Sequence, residues 1–385
     1  MKNKVHLFLF IIMLLVFFSY SLFIATHLQQ GIVPDEPAHL VFSKHYATTW
    51  GIPDDTLETY SKGWYIQHNP FLYYWINGRF INLFQTVYPA ISDWQLLVAL
   101  RLISSFYSLG TIIFCYFLSK ELISGKWWQL LPVFLLTNTL MFVFLSGGVN
   151  YDNLANLLSM SGLYYFIKAL KKINFVSNSL LSLFLISLGT LVKFTILPLA
   201  LVMVIIGIVF FIIHRKDLTF LKYEWKKTWF LAILLVAALI GNFLIYGENI
   251  LKFGKMLPAC PEILSQDKCD ISPFAKRYQE IGLDHKLTIR ESIEMGYPNP
   301  VKYYFDGWID HMLYRIYGIL GHLSYFPAHI IIFYKLLLFW IILMGFRYIE
   351  KPPFEITSMI IIILFYSFVL FLNNYASELT YGFKQ

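Results

Sequence analysis

The sequence predicts an all-α polytopic membrane protein with about nine transmembrane helices, and its composition and apolar runs carry that prediction. Of 385 residues, 58% are hydrophobic and 14% are charged, whereas soluble globular domains average about 45–50% apolar and about 25% charged residues. Aromatic residues reach 19%, which is typical of chains with aromatic belts at the membrane–water interface. This composition excludes a disordered chain and a small disulfide scaffold.

Long apolar runs recur along the chain, and a spanning helix needs roughly 20 mostly apolar residues. Residues 178–213 form a nearly continuous run that fits either one long helix or a broken pair. Lys193 favours the pair, because a charge is tolerated at a break near the interface but is costly in mid-membrane. The predicted spans are about 7–25, 95–117, 128–146, 154–170, 178–192, 194–213, 228–247, 329–346 and 354–372.

Lys and Arg residues flank the apolar runs and predict the orientation of the chain. The first run follows a basic start, yet it is too long for a signal-peptide core and no clear cleavage site follows it, so we expect a retained anchor. Basic residues concentrate at the N-terminus and in alternate short loops, which predicts an N-terminus on the inner side. The net charge of +7 therefore indicates membrane orientation rather than nucleic-acid binding.

That topology places two long segments, about 27–94 and 248–328, on the outer face of one domain, 1–385. The first alternates polar and aromatic stretches, which predicts interfacial helices. Cys260 and Cys269 bracket a short polar stretch of the second segment, where a disulfide, a metal pair or two free thiols all remain open. Cys115 lies within a predicted span and fits a small core hydrophobe.

The segment 33–39 (VPDEPAH) is the sharpest local signal, because two adjacent carboxylates follow the first span. In one interpretation Asp35 caps a helix and Glu36 interacts with its dipole. In the other, Asp35 is a general base at the membrane surface, where partial desolvation raises a carboxylate pKa towards a useful range. Chemistry alone favours the cap.

The segment 147–153 (GGVNYDN) is a second turn on the predicted outer face. Its glycines permit a tight reversal, and either Asn150 or Asp152 fits the cap of the next helix. Two carboxylate-bearing turns that converge on one face also suit a site for a polar substrate. Both interpretations stay open.

Three basic residues near that face are candidate ligands for an anion: Lys193, Arg101 and His68. An ionisable residue inside a membrane protein suggests function by default. The alternative is snorkelling, with the stem on lipid and the charge among headgroups. If the substrate carries a lipid-linked phosphate, several such cations become useful together.

Several nucleotide and metal signatures are missing from the sequence. It has no Walker loop, no dinucleotide-binding fingerprint and no HExxH helix, so ATP hydrolysis and zinc peptidase chemistry are not indicated. We predict no cofactor and assign no metal ligand, although a divalent metal is not excluded.

Five features follow one another along the chain. They are the anchor, the outer Asp35-Glu36, the later segment 68–75 (HNPFLYYW), the turn ending at Asp152 and the segment 189–195 (GTLVKFT). In this order they resemble the glycosyltransferase C superfamily. The nearest likeness is the branch of protein O-mannosyltransferases and lipid A aminoarabinose transferases. In that branch the first outer loop carries an acidic catalytic base, and a Gly-rich span ends in a Lys that faces the donor phosphate. His68 and Asn69 depart from the branch's basic residue and first proline.

The resemblance covers about residues 1–215 and implies a membrane glycosyltransferase that moves a sugar from a polyprenyl-phosphate donor to an acceptor at the outer face. It implies catalytic roles for Asp35, Glu36 and Asp152. The implied substrate-binding residues are Lys193, His68, Arg101, His39 and Asn150. The partners would be the lipid-linked donor, a lipid, glycan or protein acceptor, and membrane lipid, with no nucleic acid.

Cell-envelope glycan synthesis at a bacterial cytoplasmic membrane fits this resemblance. Relatives commonly have more spans, which suggests a chain truncated at its C-terminus. The alternative function is a lipid-glycan transporter or flippase that uses the same cations but forms no bond. Fold alone does not choose between these functions.

Overall fold

The computed structural model describes residues 2–63, 65–216, 225–258, 260–273, 287–319, 326–348 and 352–381. Within these ranges the regular secondary structure is helical, and no β-strand occurs there. This confirms the predicted all-α polytopic class.

The helices of the first half alternate long apolar segments with short polar ones. In chain order they are α1 Lys2–His27, α2 Glu36–Tyr46, α3 Leu57–Ser61, α4 Leu72–Val87, α5 Asp93–Leu122, α6 Leu131–Thr137, α7 Leu140–Ser146, α8 Tyr151–Leu170, α9 Phe175–Val192 and α10 Leu197–Ile213.

The second half begins and ends with long apolar helices and carries short ones between them. They are α11 Trp225–Asn242, α12 Glu248–Phe253, α13 Cys260–Ile263, α14 Gln266–Cys269, α15 Ile289–Glu294, α16 Pro300–Tyr303, α17 Ile309–Gly318, α18 Ala328–Tyr348 and α19 Phe354–Tyr381. Single-turn π segments, Phe243–Gly247 and Tyr304–Trp308, connect α11 to α12 and α16 to α17.

By length and apolarity, six helices of the described chain are long enough to cross a membrane. They are Val5–His27, Asp93–Leu122, Phe175–Val192, Phe194–Ile213, Thr228–Phe253 and Phe354–Tyr375. A seventh is added if α6 and α7, which meet at a 64° bend, form one broken span. Helices lie at all nine predicted positions, and six of these helices are clear spans within the described residues.

Helix α8 is a predicted span that falls outside this set. The central helix α8 packs between α5 and α9. Polar residues in its sequence, including the buried Asn153 and Ser161, make it less apolar than the other predicted spans.

The predicted break at Lys193 is present. Helix α9 ends at Val192, Lys193 adopts an extended backbone, and α10 starts at Leu197 after a short 3₁₀ turn. Pro198 lies in the first turn of α10, where its missing N–H costs no hydrogen bond. The break moves the charged side chain out of both helix interiors.

The first predicted outer segment contains α2, α3 and α4, in agreement with helices in that loop. Helix α4 packs closely on the end of α2, because a Cβ placed on Gly78 would lie 2.7 Å from the backbone carbon of Tyr46. This contact fixes α2, and with it the turn that precedes α2. The placement of these helices at a membrane surface stays a prediction.

Cys260 and Cys269 form a disulfide, which decides among the three predicted alternatives. The bridge closes a short loop over α13 and α14. Cys115 is the remaining cysteine and is buried, as a core hydrophobe should be.

Candidate active site

The turn before α2 holds Asp35 in a left-handed backbone conformation, with φ of 58°. Such a backbone is uncommon for a residue other than glycine and is found disproportionately at functional sites. Asp35 occupies the N-cap position of α2, but its side chain makes no capping hydrogen bond. The exposed carboxylate is therefore not used for the capping role that the sequence favoured.

Glu36 points the other way and forms a fully buried ion pair with Arg101 of α5. Arg101 Nε and Nη2 donate to the two carboxylate oxygens at 2.7 and 2.6 Å. Arg101 Nη1 also donates to the carbonyl oxygen of Leu28 at 2.7 Å. Neither side chain lines a cavity described below, so the pair holds the Asp35 turn. Glu36 and Arg101 therefore have a structural contact with each other here, in place of the direct substrate contacts that the resemblance implied.

The second turn packs directly against the first. A Cβ on Gly148 would come within 2.4 Å of Val33 Cγ1, so only glycine allows this approach. The backbone N–H of Val149 donates to Glu36 Oε1 at 3.1 Å. Buried Glu36 therefore ties the two turns to Arg101, and the predicted convergence of the turns is present in the structure.

Asn150 has the predicted capping role. Its Oδ1 accepts from the backbone N–H of Asp152 at 2.8 Å, at the start of α8. Its Nδ2 donates to the carbonyl oxygen of Pro34 at 3.3 Å, next to Asp35. Asn150 thus orients both carboxylate-bearing turns at once.

Asp152 and Lys193 form an ion pair across α8 and the break after α9. Their side chains are 26% and 27% exposed, so the pair is accessible rather than sealed. Lys193 Nζ also lies 4.7 Å from the centroid of the Tyr151 ring, close enough for a cation–π contact. A ligand anion that enters here meets a positioned ammonium group.

These groups line a cavity of about 880 Å³, which we call the polar cavity. Asp35, Asn150, Asp152 and Lys193 all contribute to its wall. A second cavity of about 610 Å³, the apolar cavity, shares Asp152 and Lys193 with it and is otherwise lined mainly by aliphatic and aromatic residues. The ion pair therefore stands where a polar space meets an apolar one.

His68 and His39 lie outside both cavities. His68 Nδ1 is 2.9 Å from Asn249 Oδ1, in a contact that joins the first outer segment to α12, while its neighbours Asn69 and Pro70 reach the polar cavity. His39 is buried and hydrogen-bonded through Nδ1 to the Tyr74 hydroxyl at 2.8 Å. The resemblance implied direct substrate contact for both, whereas this placement gives each histidine a hydrogen-bond partner within the protein.

Burial lowers the pKa of His39 to about 3, from an ordinary value of 6.5. Below pH 6.5 the unfolded chain takes up a proton at His39 that the folded chain does not. The fold therefore loses stability as the pH falls from 6.5 towards 3. We expect a loss of about 2 kcal/mol of stability between neutral pH and pH ~5 from this one residue. Thermal unfolding in detergent at the two pH values measures it.

A matched pair of variants isolates the contribution of His39. His39→Gln removes the titrating ring and should flatten the pH dependence of the unfolding temperature. His27→Gln, at an exposed position at the end of α1, should leave the wild-type slope. An unchanged slope in His39→Gln would contradict the assignment.

The sequence analysis missed several wall residues of the polar cavity that come from the second half of the chain. Lys255, Arg315, Tyr366 and Asn374 line it, together with Asn373. The signal available in the sequence was polar residues within or beside apolar helices, as at Arg315 and Asn373-Asn374. A single charged residue outside any recognised motif does not indicate which other side chains it lies beside in the folded protein.

Aromatic residues of the second predicted outer segment form a packing cluster with α19. Tyr297, Tyr303 and Trp308 pack around Tyr375 and Phe371 in a cluster of their own. Tyr304 packs against this cluster as well, and His311 Nδ1 contacts the carbonyl oxygen of Gly307 at 2.8 Å. They do not line the polar cavity, and packing accounts for their positions.

Comparison with known proteins supports the predicted resemblance. Residues 68–246 match the model of the dolichyl-phosphate-mannose-protein mannosyltransferase family. The match includes Asp152 and Lys193, and begins after Asp35. No curated protein and no solved structure matched the chain. The match confirms a resemblance to the glycosyltransferase C superfamily and supports a membrane glycosyltransferase of that type.

Proposed function

We propose that this chain transfers a sugar from a polyprenyl-phosphate donor to an acceptor hydroxyl, with Asp35 as the general base. The observation that carries the proposal is the polar cavity, where an exposed carboxylate on a left-handed backbone and the Asp152–Lys193 pair share one space. The donor class comes from the family resemblance. The site lies at the outer face of a bacterial cytoplasmic membrane, and the acceptor is a lipid, a glycan or a protein.

The junction of the two cavities suits a lipid-linked phosphate. An isoprenoid chain fits among aliphatic side chains such as Leu199, Met359 and Ile363 of the apolar cavity. Its phosphate then reaches Lys193, which exchanges Asp152 for the ligand oxygen. Charge-assisted hydrogen bonds of this kind are about twice as strong as neutral ones.

The reaction is a single displacement at the anomeric carbon. The acceptor oxygen forms a bond to that carbon while the bond to the phosphate oxygen breaks, which inverts the configuration. Asp35 takes the acceptor proton, and the bonding electrons leave with the polyprenyl phosphate. Lys193 stabilises the negative charge that grows on the leaving phosphate, a type of electrostatic effect that is commonly the largest in catalysis.

The remaining residues position these groups. Asp152 orients Lys193 and is released towards the sugar when the donor binds. Asn150 and the Glu36–Arg101 pair hold the Asp35 turn, and His39 supports the Tyr151 ring at a centroid distance of 4.6 Å. Their substitution should disturb geometry rather than remove a reacting group.

The competing function, a lipid-glycan transporter or flippase, uses the same phosphate-binding Lys193 but needs no base. It predicts that substitution of Lys193 strongly reduces function and that substitution of Asp35 reduces it only mildly. Transfer of label from a polyprenyl-phosphate sugar to an acceptor separates the two, because only an enzyme forms the new bond.

We expect Lys193→Gln to lower transfer by about 10²-fold or more, because one preorganised charge at the leaving group is lost. The measurement is transfer from a labelled polyprenyl-phosphate sugar, paired with the dissociation constant for farnesyl phosphate. Transfer should fall, and the dissociation constant for farnesyl phosphate should rise.

Lys252→Gln is the matched control, since Lys252 forms an exposed pair with Glu248 and does not line the polar cavity. It should transfer as the wild type does. Wild-type transfer by a folded Lys193→Gln protein would refute the phosphate-binding role.

A further inference from the structure

The second half of the chain contributes a basic side to the polar cavity. Helix α17 presents Met312, Arg315 and Ile316 to it, and these positions share one helix face by their spacing of three and four. Lys255 reaches the cavity from the turn after α12, and Asn374 from α19. We call Lys255, Arg315 and Asn374 the basic wall.

The charged residues that line the polar cavity differ in their mix of signs between the first and second halves of the chain. Residues up to 246 supply Asp35, Asp152 and Lys193, whereas the described residues after 246 supply only the cations Lys255 and Arg315. Lys255 pairs with Glu262, but both side chains are well exposed, at 59% and 31%. Exposed pairs of this kind contribute little and exchange readily.

The basic wall has the chemistry of an anion site. A guanidinium group matches the two oxygens of a carboxylate or phosphate, and an amide N–H adds a further donor. A cavity lined on one side by cations also concentrates anions. Lys193 already serves the donor phosphate in the proposed function, so the basic wall would serve a different anionic group.

We infer that the basic wall binds a second anionic group, a phosphate or a carboxylate, which the substrates bring in addition to the donor phosphate. The inference rests on the proposed function. The group has two sources of the same chemistry. It is either the second phosphate of a diphosphate-linked donor or an acidic group on the acceptor.

Binding of matched probes to the purified full chain in detergent tests the inference. Farnesyl phosphate and farnesyl diphosphate differ by one phosphate, and hexyl glucoside and hexyl glucuronide differ by one carboxylate. Dissociation constants are measured for the wild type, Arg315→Gln and Arg315→Lys. Arg290→Gln is the control, because Arg290 is an exposed surface residue on α15.

If the donor supplies the anion, the diphosphate binds the wild type about tenfold more tightly than the monophosphate. If the acceptor supplies it, the two phosphates bind alike and the glucuronide binds about tenfold more tightly than the glucoside. In either case Arg315→Gln abolishes the difference, Arg315→Lys keeps part of it, and Arg290→Gln keeps all of it.

The inference is overturned if the wild type distinguishes neither pair, or if Arg315→Gln distinguishes them as the wild type does. Farnesyl phosphate reports separately on the proposed function. If its binding does not depend on Lys193, the donor assignment fails, while the glucuronide and glucoside pair still decides the basic wall.

Discussion

Asp35→Asn should abolish nearly all sugar transfer while the protein folds as before. General base catalysis contributes about 10²–10⁴-fold, and the amide cannot accept the acceptor proton. Folding should survive for two structural reasons. The Asp35 side chain makes no capping hydrogen bond with α2, and asparagine tolerates the left-handed backbone at φ 58°. The measurement is transfer from a labelled polyprenyl-phosphate sugar at matched amounts of monodisperse protein.

Asp93→Asn is the matched control for the same chemical change. Asp93 lies at the start of α5, pairs with Lys44 at the surface and is 88% exposed. Its replacement should leave transfer unchanged, and both variants should bind farnesyl phosphate as the wild type does. Transfer near the wild-type level by Asp35→Asn would reject the base assignment and favour the transporter.

The sequence predicted the helical class and the two converging turns because these depend on local patterns. Apolar length identifies a span, and glycines beside a carboxylate identify a tight polar turn. The break at Lys193 followed from the cost of burying one charge. The apolar length of a span, the composition of each polar turn and the break are properties of a short segment and need no knowledge of its neighbours.

The different roles of Asp35 and Glu36 could not be predicted from the sequence. Adjacent positions at the start of a helix point in different directions, so one carboxylate faces the cavity and the other is buried. Which one turns inward depends on Arg101, 65 positions away. The same holds for Arg315 and Asn374, because their cavity wall exists only after α17 and α19 pack near the N-terminal turns.

The buried pair is also the position where a single substitution should destabilise the protein most. Arg101→Met leaves the Glu36 carboxylate in a fully buried site without its cation. Breaking a buried ion pair by removing one partner costs about 3–5 kcal/mol. The freed carbonyl oxygens of Ala25 and Leu28 add to the loss. We expect a sharp fall in unfolding temperature, whereas Lys44→Met, which breaks the exposed pair with Asp93, should change stability by about 0–1 kcal/mol.

A thiol-reactive dye measures this unfolding, because Cys115 is buried and is the one cysteine of three outside the disulfide. Adding Glu36→Gln to Arg101→Met should restore part of the stability, since the double variant buries a neutral amide in place of an uncompensated charge. If the double variant is as unstable as the sum of its single changes, the two side chains are not coupled. That additivity would mean that Arg101 acts on the backbone carbonyls alone, and that Glu36 does not need it to hold the Asp35 turn in place.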